Sequence, residues 1–158
     1  NPGGLGETST MDVNSAPPES LLDAMRVSAS RDAIAAEYAG GFSRTIGKVA
    51  PLIVAARAQD LPLPNAIVQA QLQLLSEQGD SLIERKSGEI TNGLCIARAN
   101  RVLQAGTPHD EAYQTALADF DFWLRSDGRR RNPGTTADLI AAGLFVCLRD
   151  ELIAPPFG

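Results

Sequence analysis

Apolar residues recur at steps of three and four along almost the whole chain, and this spacing constrains the fold more than any other feature. Such spacing places apolar side chains on one face of an α-helix. The sequence lacks the alternating runs of β-branched residues that favour strands. We therefore predict an all-α fold, a compact bundle of about six helices joined by short loops that contain Gly or Pro. The predicted helices cover residues 19–39, 42–58, 63–76, 88–105, 109–125 and 135–152.

Length and charge exclude several classes of protein. A chain of 158 residues, 44% of them hydrophobic, suits one compact domain with a real core. A net charge of −5 argues against a general nucleic-acid binder. Apolar stretches such as 139–148 are shorter than the roughly twenty residues of a membrane span. We expect neither nucleic acid nor membrane as a partner, whereas a homo-oligomer is compatible with the sequence.

The chain begins Asn-Pro-Gly-Gly-Leu-Gly, without an initiator methionine or a signal-peptide pattern. We expect residues 1–18 to form a leader loop rich in Gly and Pro, and residues 19–158 to form the helical domain. The simplest account is that the chain is part of a longer one. A flexible leader on a complete domain is the competing account.

The cysteines and the single histidine give no sign of a metal site. Cys95 and Cys147 lie inside apolar helical patterns without a CxxC pair, which predicts buried core thiols in a reducing compartment, hence a cytoplasmic protein. His109 follows Thr107 and Pro108 at a predicted helix start, which is typical of a surface or capping residue.

The strongest local signal is the segment 129–138, three arginines followed by Asn-Pro-Gly-Thr-Thr-Ala-Asp. Thr135 can cap the following helix, with Asp138 as its partner in a capping box. Free amides at a helix start, near Gly134 and beside three arginines, would also bind phosphate. A well-capped helix after a solvated basic loop explains the same residues.

Two further polar clusters interrupt the apolar pattern. Arg31 and Tyr38 are seven residues apart and would share a helix face. Arg31 and the adjacent Asp32 could belong to a buried polar network, hold a substrate or form a surface salt bridge to another helix. In segment 80–88, Asp80 or Ser81 can cap a short helix that the basic pair 85–86 ends. The same basic pair could instead bind nucleotide phosphates.

In chain order, these segments resemble the triphosphoribosyl-dephospho-CoA synthase family (the CitG and MdcB type). The resemblance covers nearly the whole chain, and the Asn-Pro-Gly-Thr-Thr-Ala-Asp segment is its specific part. The motifs are Gly3-Gly4-Leu5-Gly6, Asp12-Val13, Arg31-Asp32 with Tyr38, Asp80-Ser81-Leu82-Ile83 with Arg85-Lys86 and Gly88, and Asn132 to Leu139.

The resemblance implies an all-helical enzyme that couples ATP to 3′-dephospho-CoA and releases adenine. Its product would be the precursor of the prosthetic group on the acyl carrier subunit of citrate or malonate decarboxylase. ATP would be a substrate with Mg²⁺, and the partners would be small molecules, ATP with dephospho-CoA or a related cofactor precursor.

The resemblance also implies roles for particular residues. Asp32 and Asp138 would be the carboxylates that act as base or contact Mg²⁺, although Asp138 has a competing role as a cap. The residues implied in nucleotide and phosphate binding are Arg31, Arg85, Lys86, Asn132, Gly134, Thr135 and Thr136.

The chain departs from the family pattern in two ways. The family's motifs extend over a longer chain, so that these residues correspond to a C-terminal portion and the missing N-terminal segment would be a partner. Met11 stands where many members have histidine. Two other functions stay open, namely the same fold acting on a different cofactor precursor, for example in one-carbon carrier biosynthesis, and a non-catalytic helical assembly subunit. Clustering of the implied residues in one pocket would favour an enzyme.

Overall fold

A computed structural model describes residues 20–157, and within that range the fold is all-α, with eight α-helices, a π-helical turn and no strand. The predicted leader, residues 1–18, lies outside the described residues together with the motif positions 3–6 and 12–13, so the predicted domain boundary stays a prediction. The helices are α1 (Leu21–Ser28), α2 (Ala33–Ala39), α3 (Ala50–Arg57), α4 (Leu63–Gln78), α5 (Ser81–Ser87), α6 (Glu89–Gln104), α7 (Glu111–Arg125) and α8 (Gly134–Arg149).

The prediction of about six helices is corrected to eight because the first predicted helix is two helices and α5 is an additional one. The break falls at Asp32, whose backbone is extended with φ −135° and ψ 114°. Its carboxylate accepts hydrogen bonds from the amides of Ile34 and Ala35, which starts α2 anew. Arg31 therefore lies before α2, and the prediction that it shares a helix face with Tyr38 is wrong.

The second predicted helix is irregular at the predicted place. A π-helical turn, Thr45–Val49, contains Gly47 and leads directly into α3, and Pro51 lies in the first turn of α3. Gly47 and Pro51 predict a kink or break in this segment, and the π-helical turn is the irregularity that the structure has there.

The core of the described residues has two large clusters that share α4, and a small third one of Ala56, Leu61 and Ala66. One cluster joins the π-helical turn, α3 and α8 to Ala70 and Leu74 of α4. The other joins α5, α6 and α7 to Leu72 and Leu75 of α4. Because adjacent positions of one helix face both clusters, the C-terminal end of α4 lies where the two halves of the bundle meet.

The predicted burial of Cys95 and Cys147 is confirmed, and both are free thiols. Burial, together with the charge of Asp80, raises the pKa of the Cys95 thiol to about 12. His109 is exposed in the turn before α7. Within residues 20–157, no helix combines the length and apolar character needed to cross a membrane.

One buried carboxylate, that of Asp80, joins the two halves of the bundle. Its Oδ1 accepts hydrogen bonds from the amides of Leu82 (2.9 Å) and Ile83 (3.2 Å), which confirms the predicted cap of α5. Its Oδ2 accepts from the amide (2.7 Å) and the hydroxyl (2.8 Å) of Thr136 in the first turn of α8. Asp80 is only 2% exposed, so four donors and two helix starts replace its hydration.

The turn that presents Asp80 is held by Asn92 of α6. The Asn92 Oδ1 accepts from the Asp80 amide at 2.8 Å, and its Nδ2 donates to the Gln78 carbonyl and to Glu84. Gly79 has a φ of +68°, and a Cβ there would lie 1.9 Å from the Asn92 Oδ1. Only glycine fits this position, for both reasons.

We predict that Asp80→Asn destabilises the protein by about 1–3 kcal/mol. The asparagine Nδ2 is a hydrogen-bond donor, and on whichever side it lies it would face the donors that now bond to the carboxylate. Either the α5 amides or the Thr136 amide and hydroxyl then lose their acceptor in a buried site. Urea unfolding measures the change. Asp23→Asn, at an exposed α1 pair with Arg26, is the control and should change stability little. Equal stability of Asp80→Asn and wild type would contradict the double-cap interpretation.

Candidate functional site

An open polar cleft of about 460 Å³ lies where the starts of α2, α5 and α8 meet the end of α4. Five of the nine residues that the sequence singled out line this cleft. They come from three segments far apart in the chain, and are Arg31, Asp32, Arg85, Thr135 and Thr136.

An ion pair between Asp32 and Arg85 forms one wall of the cleft. Arg85 Nη1 lies 2.9 Å from Asp32 Oδ2, both side chains are 14% exposed, and the same nitrogen donates to the Arg31 carbonyl at 3.0 Å. Asp32 Oδ1 is occupied by the cap of α2. The Arg85 Nε is buried and finds no hydrogen-bond partner within residues 20–157. Arg85 thus has a donor left for a ligand.

Ser81 ties the three helix starts together. Its hydroxyl oxygen accepts from the Ala33 amide of α2 at 3.3 Å and lies 3.1 Å from the Thr135 hydroxyl of α8. The sequence predicted Ser81 only as a possible cap of α5. Its two partners are 48 and 54 residues away in the sequence. Residue spacing within one helix cannot predict contacts over such separations.

The start of α8 differs from the predicted capping box. Pro133 is the N-cap residue, and no side chain caps the helix from that position, so the Thr135–Asp138 capping box is wrong. Two of the amides expected to be free are bonded, that of Gly134 to the Asn132 carbonyl and that of Thr136 to Asp80. The carboxylate of Asp80 lies where a phosphate would bind a bare helix start. The two threonine side chains still face the cleft.

The other four predicted site residues do not line the cleft. The carbonyl of Lys86 accepts from Arg130 Nη2 at 3.2 Å. Asn132 lines a second cavity of about 860 Å³ between α4 and α7. Gly134 packs closely on Leu82, since a Cβ there would lie 2.9 Å from the leucine Cδ2. Asp138 is exposed on α8.

None of the three arginines before α8 lines the cleft, and two of them, Arg130 and Arg131, contact residues outside their loop. Arg131 lies over the ring of Trp123, with its guanidinium carbon 4.4 Å from the ring centroid, and Arg98 lies 5.1 Å from the same centroid. Arg130 bonds to the end of α5, and Arg129 lines the second cavity. These contacts hold the loop that leads into α8.

Three charged residues that line the cleft were not predicted as site residues, Arg44, Asp80 and Glu84. Asp80 was recognised as a cap, and only the fold shows that it also lines the cleft. Arg44 lies near the start of the second predicted helix, 42–58, in a segment without a motif, so no local signal marks it.

The cleft is suited to bind an anion. Its carboxylates are already engaged, Asp32 by Arg85 and α2, Asp80 by α5 and α8, and Glu84 by Asn92. Its arginines keep donor capacity, and guanidinium groups match phosphate oxygens well. Within residues 20–157, no three carboxylate, histidine or cysteine side chains converge as metal ligands.

Comparison with known proteins shows the family of the chain. The model of the family described as CitG, ATP:dephospho-CoA triphosphoribosyl transferase, matches residues 1–156. A probable 2-(5″-triphosphoribosyl)-3′-dephosphocoenzyme-A synthase of Albidiferax ferrireducens is 33% identical over 119 residues, which are 74% of this chain and 38% of the relative. The chain thus matches about two fifths of the length of that relative. No solved structure matches the chain. The family match spans both the cleft and the loop before α8, and the chain belongs to the CitG family of ATP:dephospho-CoA triphosphoribosyl transferases.

Proposed function

We propose that this protein acts in the transfer of the triphosphoribosyl group of ATP to 3′-dephospho-CoA, with release of adenine. The observation that carries the proposal is the cleft, where family-motif residues distant in sequence meet around arginine donors. In the proposed reaction, a ribose hydroxyl oxygen of dephospho-CoA bonds to the ribose C1 of ATP. The bond from that carbon to adenine breaks, adenine leaves with the bonding electron pair, and the hydroxyl proton is lost to a base.

The proposed role of the cleft is to hold the triphosphate of Mg-ATP. Arg85 and Arg31 supply the cations, and the hydroxyl of Thr135 supplies a neutral hydrogen bond, whereas the hydroxyl of Thr136 already donates to Asp80. Asp32 keeps Arg85 in place, since its two oxygens bond to the α2 amides and to the guanidinium. Binding of the triphosphate would hold the ribose C1 in position for attack. The cleft would thus contribute to catalysis by orienting the substrate and not by forming or breaking a bond.

Asp138 is the proposed base. It lies three residues after Thr135 and directly before Leu139, both of which line the cleft, so it lies at the edge of that face of α8. It is exposed and therefore accessible, whereas the oxygens of Asp32 already have partners. We also propose that Mg²⁺ binds as part of the nucleotide substrate. The proposed location of the protein is the cytoplasm.

An assembly subunit without activity is the competing function, and the cleft counts against it. The charged residues among those implied by the resemblance separate the two functions, because an enzyme needs them in one pocket. Arg31, Asp32 and Arg85 come together in the cleft, whereas Lys86 and Asp138 lie outside its lining. The buried donor of Arg85 has no structural use within residues 20–157. A binding role explains it.

The first experiment incubates the protein with Mg-ATP and 3′-dephospho-CoA and follows adenine and the coupled product by mass spectrometry. It uses this chain alone and a chimera that supplies the part of the relative that this chain does not match. We expect adenine and the coupled mass in equal amounts from the chimera. Adenine without dephospho-CoA coupling, or with another cofactor precursor only, would move the proposal to a different acceptor. Neither product from a folded chimera would contradict it.

We predict that Arg85→Ala raises the apparent KM for ATP by about 10–100-fold, the loss expected for one charge-assisted hydrogen bond. Arg101→Ala, at an exposed position of α6, is the matched control and should leave the KM unchanged. Steady-state kinetics with saturating acceptor measures both, after thermal melting shows that both variants fold. An unchanged KM in Arg85→Ala would remove this residue from the phosphate site.

For Asp138, the predicted effect is on kcat and not on binding. Asp138→Asn keeps the size of the side chain but cannot accept a proton, so we expect kcat to fall by about 100-fold or more with the KM for ATP retained. Because Asp138 is exposed, we expect Asp138→Asn to leave the stability unchanged. Urea unfolding checks that the fall in kcat does not come from unfolding. A kcat equal to that of wild type would show that Asp138 is not the base.

A further inference from the structure

Arg44 lines the same cleft and has a donor without a partner. The Arg44 Nη2 atom is buried and makes no hydrogen bond within residues 20–157. A buried donor left without an acceptor costs about 1–3 kcal/mol, and more when it is charged. Packing alone does not account for a side chain that is buried at such a cost in free energy.

The surroundings of Arg44 do not neutralise it. Burial lowers the pKa of Arg44, and the negative charges of Glu37 and Glu77 oppose this effect. Glu37 bonds to the Thr45 amide and Glu77 pairs with Lys48, so each carboxylate has another partner. The guanidinium stays positively charged next to the cleft.

The backbone before Arg44 is held in an unusual conformation. Gly41 and Phe42 have φ values of +65° and +59°, the second being uncommon for a residue with a Cβ. The π-helical turn begins directly after Arg44, and the buried Glu37 accepts from the Thr45 amide at 2.8 Å. Strained backbone and single π-helical turns cluster at ligand sites. Here they fix the position of one arginine.

We infer that Arg44 binds the polyphosphate in the cleft, as a third arginine beside Arg31 and Arg85. This inference rests on the proposed function and adds a residue to it. Phosphate oxygens would accept from two donors of cleft-lining residues that have no partner within residues 20–157, Arg44 Nη2 and Arg85 Nε. Three guanidinium groups suit an extended anion with several phosphates better than a single phosphate. Glu37 acts as a positioning residue, because it holds the turn that carries Arg44.

The test measures binding of inorganic tripolyphosphate by calorimetry at constant ionic strength, without ATP or acceptor. We expect wild type to bind tripolyphosphate more tightly than sulfate, and Arg44→Gln to weaken the binding at least tenfold. Arg101→Gln, the exposed control, should bind within twofold of wild type. Thermal melting shows whether each variant is folded.

A second variant keeps the test decisive if Arg44→Gln fails to fold. Glu37→Gln retains an acceptor for the Thr45 amide and removes a negative charge near Arg44, so tripolyphosphate should bind equally or more tightly. Weaker binding by Glu37→Gln, or unchanged binding by a folded Arg44→Gln, would overturn the inference. Absence of binding to wild type would overturn it as well. Release of adenine in the activity assay would then still support the proposed function, with the triphosphate held elsewhere.

Discussion

The carboxylate of Asp80 is the interaction on which the rest of the structure depends. It caps α5 through one oxygen and binds the start of α8 through the other, at the point where both core clusters meet. A charge that is 2% exposed is tolerated here because helix amides and a hydroxyl donate to it from both sides. The double cap fixes where α5 and α8 begin. It thereby places Arg85 and the two threonines of α8 around one cleft.

The cleft separates its negative and positive groups in a way that favours anion binding. The carboxylates bond to helix starts and to one arginine, so their lone pairs are directed into the protein. The arginines are left with donors that no group in residues 20–157 accepts. An amide-lined helix start could bind phosphate by itself, but Asp80 already occupies that of α8. Anion binding in the cleft therefore depends on positively charged side chains, which are those of its arginines.

Local sequence signals predicted those parts of the site that depend on neighbours in the chain. The caps by Asp80 and the irregularity at Gly47 and Pro51 follow from residue type and spacing, and both are present. The predicted capping box failed because Thr136 bonds to Asp80, 56 residues away, and α8 begins one residue earlier than Thr135. Arg44 escaped prediction because nothing within its segment distinguishes it from a surface arginine.

The sequence by itself determined that this protein is helical, where most of its helices lie, and which family it resembles. These properties depend on apolar period, capping residues and a short specific motif, all of which are local. Only the tertiary structure decided which polar residues share a cleft, because hydrogen bonds and ion pairs act over a few ångströms and join segments about fifty residues apart. Asp32 meets Arg85, and Ser81 meets Thr135, only after α2, α5 and α8 have packed with their starts together.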